Sequence, residues 1–524
     1  MAIKTFAAIV IGSAETEMRI YELSSHSGMK EIDRISTRIN LGADAYSEGE
    51  LTSGKVNELV EVLRELKGIM ESYKVSGYDV CATSALREIH TGLLVRDYIE
   101  RQTGLKIRII SNSEQRFLDY KSIACESSSF EKIIQKGTAI VDIGGNSMQI
   151  SVFDKDKLFT TQNIRMGKIS SRATYLPVAK NNRHYEKLLI ELLNHELNGF
   201  YKLYQKERQI YNLIVVDQEL MDMIRRQYDN IATGTDRLQG DVFHVEAEMF
   251  NKLYENVILM RPDEITEKFE IAPEPAQRVI QSLIFCKCLL DQSGAQTLWL
   301  MDVTICDGMC YDFAVSQKLL KPTHNFDEDI IAASRAIAKR YKCNQAHIRN
   351  MEELALGIYD RMRKVHGMGE RERLLLQISV ILHNCGKYIS LANVSECAYN
   401  IIMATEIIGL SHAERRIIAN VVRFNTAPFQ YFSEISSLDP LDRDEYLLIA
   451  KLTAILRVCN ALDRAHRQKC AGALITLKDN ELAIRVETPE DLSLEKVTLM
   501  ERAPFFEEVF RVHPVLKQKK GMKK

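Results

Sequence analysis

The sequence predicts an α/β chain over residues 1–323, an all-α region over 324–470 and a small α+β ending over 471–524. Three observations lead there. Short apolar runs rich in β-branched residues alternate with segments of helical period until about Asp327, where strand signals stop. The order of apolar strand, glycine turn and second strand occurs twice, in AAIVIGSAETEMRI and in AIVDIGGNSMQIS. At 524 residues the chain also exceeds the roughly 250 to 300 residues at which single cores stop growing, so several domains are expected.

TFAAIVIG and EMRIYEL read as a hairpin, and SGKVNELVEVLRELKGIMESY carries apolar residues at helical spacing. A strand at YDVCATS follows, then a helix from about Ala85, a strand at LKIRIIS, and a helix opening near Ser113 with Glu114 in its first turn. These fill residues 1–128. Residues 129–323 open with GTAIVDIGGNSMQISVFDKDKLFTTQNI, two or three strands. They continue through long helices and the strand NLIVVD, and close with a strand and helix in TLWLMDVTICDGMCYDFAVSQKL. The repeated opening predicts a duplicated fold with its cleft between the halves.

From DEDIIAASRAIAKRYK to DEYLLIAKLTAILRVCNALDRAHRQ the segments are long and amphipathic, as helices are. ALITLKDNELAIRVET then reads as two short strands turning at Asp479-Asn480, followed by a helix and a tail, KQKKGMKK, expected to be a solvated, frayed end. LLIELLNHELNGFYKLYQ has a face for packing within the chain or across a homodimer.

Lysine plus arginine number 69 against 71 for aspartate plus glutamate, so no global charge points to nucleic acid or to a membrane. The N-terminal apolar run alternates into polar residues and lacks a signal-peptide core. No segment reaches the roughly 18 continuous apolar residues of a membrane helix. A cytoplasmic protein is expected. The eleven cysteines sit mostly singly in apolar stretches without C-x-x-C spacing, and are expected to be reduced, buried thiols.

A strand ending in Asp-x-Gly-Gly and turning into another strand can aim several backbone N–H groups at one point, because glycine allows the dihedrals that bring them together, and such a nest suits phosphate. Gly144, Gly145, Asn146 and Ser147 are the candidate phosphate-binding residues of the second turn, and Asp142 at the strand end is the candidate metal ligand. Gly12 and Ser13 repeat the turn in the first half. Arg87, just inside a helix after a strand in CATSALRE, is a candidate for bidentate phosphate binding.

The order of these motifs resembles the Ppx/GppA family of exopolyphosphatases and guanosine pentaphosphate phosphohydrolases. The resemblance runs from the first strand through RISTRINLGADAYSEGELTSGKVNELVEVLRELKGIMESYKVSGYDVCATSALRE, IRIISNSEQRFLDY and VDIGGNSMQIS. It implies a duplicated actin-like (ribonuclease H-like, ASKHA) fold followed by an HD-like helical domain. It also implies a polyphosphate or guanosine polyphosphate ligand, and Mg²⁺ as cofactor if the site is active.

The chain departs from the family's pattern at its acids. Val10 stands at the first loop's aspartate, Gln115 at the catalytic glutamate with Glu114 one residue earlier, Asn146 at a third glycine and Gln149 at the second loop's glutamate, while Asp142 is kept. A neutral amide is neither a general base nor a good Mg²⁺ ligand. Hydrolysis is therefore expected to be weakened or lost. The alternative is an active enzyme with relocated carboxylates, Glu114 first, or Glu15 and Glu17. A kinase-like member of the actin-like superfamily has less support.

The HD resemblance places His347 and His383 at the two histidines, Asn384 at the paired aspartate and Asn460 at the later aspartate, with Asp463 three residues on. This implies a degenerate site without a metal.

Overall fold

The computed structural model describes residues 3–519 apart from 27, 127–129, 156, 206–207, 218, 222, 225–241, 323 and 435–440. The chain divides into two compact units, Met1–Asn325 and Phe326–Lys524.

The first unit holds two sheets of one plan. Strands β1 (Lys4–Ile11), β2 (Glu15–Ser24), β3 (Gly28–Arg38), β4 (Gly77–Ala82) and β5 (Arg108–Ile109) lie in the order β3-β2-β1-β4-β5. The first three form an antiparallel meander, and β4 and β5 run parallel to β1. The second sheet takes β6 (Thr138–Ile143), β7 (Met148–Asp154), β8 (Lys157–Ile164), β9 (Asn212–Val216), β10 (Val242–Glu246) and β11 (Thr297–Met301) in the order β10-β11-β9-β6-β7-β8. Again a meander leads into strands parallel to its first member, with β10 added antiparallel at the edge. The duplication expected from the two glycine turns is thus a duplication of topology.

β1 is buried on both faces, and alternate residues divide between two cores, as a period of two requires. Ala7, Ile9 and Ile11 join the core that takes Val56, Leu59, Leu63 and Leu66 from helix Ser53–Ser72. Phe6, Ala8 and Val10 join a core with Cys306, Met309, Cys310 and Ala314 of helix Ile305–Ser316. That helix comes from the 129–323 stretch yet packs on the first sheet, so the two halves share a core. Asp307 anchors it there: its carboxylate accepts from Tyr21 Oη at 2.6 Å and pairs with buried Arg19 at 3.2 Å.

In the second half, helix Asn182–Phe200 buries Tyr185, Leu189, Leu193, Leu197 and Phe200 in the core of the second sheet. Its apolar face is spent within the chain. All eleven cysteines are thiols, and all but Cys125 and Cys397 are buried. Among the described residues no helix is long and apolar enough to cross a membrane.

The second unit packs helices Phe326–Arg340, Gln345–Arg361, Glu370–Leu382, Val394–Ala404, His412–Phe424 and Arg443–Leu462, close to the segments read as helical. A three-stranded sheet follows: β12 (Leu474–Lys478), β13 (Glu481–Glu487) and β14 (His513–Lys519). Asp479 and Asn480 turn the hairpin with φ of 48° and 59°, the paired left-handed residues such a tight turn needs. The expectation of a frayed basic tail is corrected in part. Lys517 to Lys519 lie in β14, which pairs parallel to β13 after the crossover helix Ser493–Phe510; residues 520–524 lie outside the described residues.

Candidate functional site

An open cleft lies where the carboxyl ends of β1, β4, β6, β9 and β11 converge, the end of a parallel sheet at which ligands usually bind. Its wall includes Gly12 to Glu15, Thr83, Ser84 and Arg87, Gly144 to Ser147, Lys168, Asp217 and Thr304.

The two glycine turns have one construction. Gly12 N–H donates to Glu15 O at 2.9 Å, and Gly144 N–H to Ser147 O at 3.0 Å, each closing its hairpin. The turns touch: a Cβ on Gly145 would lie 3.1 Å from Ser13 Cβ and 3.1 Å from Ile169 Cδ1. The reason for glycine is therefore close approach. Neither Gly12, Gly144 nor Gly145 is among the residues of positive φ, which corrects the expectation that special dihedrals aim the N–H groups. Gly144 and Gly145 also turn their carbonyls to the start of helix Lys168–Tyr175, accepting from Lys168, Ile169 and Ser170 N–H at 2.8 to 3.0 Å. The Asn146 carbonyl accepts from Ser170 Oγ at 3.0 Å. With these carbonyls turned to the helix, the N–H groups of Gly145, Asn146 and Ser147 have no protein acceptor among the described hydrogen bonds.

Ser13 is tied to two residues that the sequence did not single out. Its hydroxyl meets Tyr46 Oη and lies 3.0 Å from Ser84 Oγ, with Tyr46 Oη 2.7 Å from Ser84. Arg87 lines the cleft, but three of its N–H groups are committed, to Ile110 O at 2.8 Å, to Asn112 Oδ1 and to Glu88 at 3.2 Å. A free guanidinium fork for phosphate was expected; what is found is a clamp on the loop before helix Asn112–Glu126.

Glu114 is likewise placed elsewhere than expected. Its Oε2 accepts from Ser111 N at 2.9 Å and Ser111 Oγ at 2.8 Å, and Ser111 Oγ accepts from Glu114 N at 3.2 Å. This is a capping box closing the helix start, and Glu114 is not among the cleft-lining residues. Its carboxylate is consumed by the fold.

Gln115 does face the cleft and donates from Nε2 to Asp142 Oδ2 at 3.3 Å. Asp142 stands directly opposite Gln149 in the β6–β7 ladder. Burial pushes the Asp142 carboxyl up to about 6, against the opposing pull of Lys168. Asp119, which the sequence reading missed, lies one helical turn beyond Gln115 and also lines the cleft. The signal was present as a carboxylate four residues after the family's catalytic position. Burial first, and then the Asp142 charge, hold its carboxyl well above the usual range.

At the other wall Lys168 is buried between two carboxylates, 3.1 Å from Asp217 Oδ2 and in contact with Glu219. Glu219 also takes Arg278 at 2.5 Å, and the two cations hold it down at about 2 despite burial. This cluster is internally compensated. Glu15, Glu17, Asp119 and Asp142 complete the wall, Glu17 paired with Arg19, and a phosphate chain beside such carboxylates needs a cation to screen it. Oδ2 of Asp119 and Oε1 of Gln149 are buried without hydrogen-bond partners. Oxygen donors of this kind suit Mg²⁺, and the residues present fit such an ion. Among the described residues no three His, Cys, Asp or Glu side chains are grouped to hold a metal by themselves.

In the second unit His347 Nδ1 lies 2.8 Å from Asp463 Oδ2, and its Nε2 3.0 Å from His383 Nε2. The acid partnering His347 is Asp463, and Asn460 makes no such contact. His383 Nδ1–H donates to Val380 O at 2.6 Å, and Asn384 Nδ2 donates to His383 Nε2 at 2.7 Å. The amide at 384 thus occupies the ring nitrogen that a metal would use. Burial and the neighbouring His347 push His383 down to about 3.

Residues 19–315, more than half of the chain, match the model of the Ppx/GppA phosphatase family, and residues 331–503 match that of Ppx/GppA phosphatase, domain III. A guanosine-5'-triphosphate,3'-diphosphate pyrophosphatase from Photobacterium profundum is 19% identical over 488 residues, 91% of each chain. Among solved structures, the Aquifex aeolicus Ppx/GppA family member aligns at TM-score 0.50 and 17% identity, covering 62% of this chain and all of that one. An exopolyphosphatase from Cytophaga hutchinsonii ATCC 33406 aligns at TM-score 0.52 and 12% identity, covering 60% and 98%. At such identities the likeness is one of fold.

Proposed function

The chain belongs to the Ppx/GppA phosphatase family, and from that premise we propose that its cleft holds the terminal phosphates of polyphosphate or of a guanosine polyphosphate and hydrolyses them slowly. The observation that carries this reading is the contact between the Ser13 and Gly145 turns beside Asp142. Each sheet lends one turn, and the unspent N–H groups of the second turn border the same space as the carboxylates. The guanosine pyrophosphatase likeness over 91% of the chain supports the substrate class.

Mg²⁺ would be held by Asp142 with help from the oxygen donors beside it, and when bound it would neutralise phosphate charge. The chain's own residues supply the rest. The 144–147 turn donates to phosphate oxygens while the oxygen of a water bonds to the terminal phosphorus and the anhydride P–O bond breaks, the shortened phosphate leaving with the bonding electrons; with Asp142 engaged as a metal ligand and Gln115 neutral, the water's proton passes to a phosphate oxygen and not to a side-chain base. Gln115 orients Asp142 but takes no proton. With Val10, Gln115 and Gln149 neutral, transition-state charge is poorly matched, and losing one such group costs roughly 10² to 10⁴ in rate.

The helical unit is assigned as HD-like, with His347, His383 and Asp463 as a buried structural cluster in place of a metal site. Phosphate release from long-chain polyphosphate and from pppGpp with Mg²⁺ tests the reading. Retention of either ligand without turnover leaves a binder, and failure to retain both sinks it.

A further inference from the structure

We propose that Asp119 replaces the missing acid at position 115, forming with Asp142 a two-carboxylate Mg²⁺ site that is completed by the phosphate ligand. The inference rests on the phosphate reading of the cleft and goes beyond it by assigning a residue outside the family's acidic positions.

Three observations meet at Asp119. It lies four residues after Gln115 on helix Asn112–Glu126, so the two side chains project within about 40° of one another. It lines the cleft together with Asp142. It is 5% exposed with Oδ2 unpartnered, and Gln149, 3% exposed and directly opposite Asp142, has Oε1 unpartnered. A buried acceptor without a donor costs free energy unless a cation or a proton meets it, and the two residues that carry such oxygens line one cleft.

The donor count fits the ion. Mg²⁺ is commonly bound by one or two carboxylates plus substrate phosphates and waters, not by a closed protein cage. Two carboxylates, one amide oxygen and a phosphate match that pattern, and they agree with the absence of a three-acid cluster among the described residues. Arg116, on the same helix, is buried and donates to Thr161 Oγ1 at 2.9 Å, fixing the helix against the second sheet. Asp119 is therefore carried on a pinned element.

The test is Mn²⁺ binding to the full chain, followed by the electron paramagnetic resonance of free Mn²⁺, alone and with imidodiphosphate, whose P–N–P bridge resists hydrolysis. The wild type is expected to bind Mn²⁺ at least tenfold more tightly with imidodiphosphate present. Asp119→Asn, close in shape to the protonated acid, is expected to lose tenfold or more of that affinity while keeping its melting temperature. Gln115→Glu in the Asp119→Asn background is expected to restore it, returning a carboxylate to the same helix face; this rescue also reads the proposal if Asp119→Asn alone folds poorly. Unchanged affinity in Asp119→Asn, with loss in Asp142→Asn, would overturn the role of Asp119 and leave the phosphate reading standing. No Mn²⁺ or imidodiphosphate bound by the wild type would overturn both.

Discussion

Glu17 stands opposite Val10 in the β1–β2 ladder, the register position that Gln149 holds opposite Asp142 in β6–β7. Each half therefore keeps one carboxylate and one neutral residue in its pair, with the acid on the second strand in the first half and on the first strand in the second. Glu17 is held by Arg19 at 2.6 Å, so its charge is already compensated, whereas the side chains of Gln115 and Gln149 beside Asp142 are neutral amides. On the proposed function, the neutral amide of Gln149 is one limit on hydrolysis. Gln149→Glu is expected to raise Mg²⁺-dependent phosphate release tenfold or more, because a general base or metal ligand is commonly worth roughly 10² to 10⁴ in rate. A phosphate-release assay checks it, and an unchanged rate would place the limit elsewhere.

The pH dependence follows from Asp142. Its folded pKa of about 6 lies above the unfolded value, so the carboxylate is present above pH 6 and lost as pH falls through it. Protons compete with Mg²⁺ for this carboxylate, so phosphate release should fall from pH 7 to pH 5 and be restored in part by excess Mg²⁺. Stability runs the other way: between about pH 4 and 6 the folded state takes a proton the unfolded state does not, which relieves the burial penalty. Asp142→Asn should therefore raise the melting temperature at pH 8, and the gain should shrink as pH falls and be nearly gone below about pH 4, where both states hold the proton.

Lys168 is a keystone of a buried ion cluster. Lys168→Met leaves Asp217 and Glu219 facing one another with only Arg278 to compensate. A loss of about 3 to 5 kcal/mol is expected, the usual cost of stripping one partner from a buried pair. Urea unfolding at pH 7 measures it, and a loss below about 1 kcal/mol, the range of exposed pairs, would show the cluster to be solvated.

Gly167 sits under the second turn, where an added Cβ would lie 2.4 to 2.5 Å from Asn146 and Gly145 backbone atoms. Backbone cannot yield as a side chain can. Gly167→Ala should displace the 144–147 turn, cost about 1 to 3 kcal/mol and weaken polyphosphate binding, whereas Gly199→Ala, with open space at its Cβ, should do neither. Thermal unfolding and polyphosphate retention by the two variants check it.

Much of this was legible in the sequence, for identifiable reasons. The duplicated halves showed through AIVIGS and VDIGGN because a central strand buried on both faces must be an apolar run, and its hairpin must turn where another loop crowds it. The helices of the second unit showed through their period. What stayed hidden depended on distant contacts. β14 reads as a basic tail because its partner β13 is far off in the chain, and β3, half exposed, lacks an apolar run. Tyr46 joins Ser13 only through tertiary packing. Glu114 looked free because a capping box and a catalytic acid share a letter, and Asp119 was passed over because the family pattern looks one turn earlier.

The central claim, a phosphoanhydride site slowed by three neutral replacements, is tested most directly by phosphate release from long-chain polyphosphate and from pppGpp with Mg²⁺, comparing the wild type, Asp142→Asn and the double variant Gln115→Glu/Gln149→Glu. The account predicts slow release by the wild type, none by Asp142→Asn, and release at least tenfold faster by the double variant. Rapid release by the wild type that survives in Asp142→Asn would contradict it.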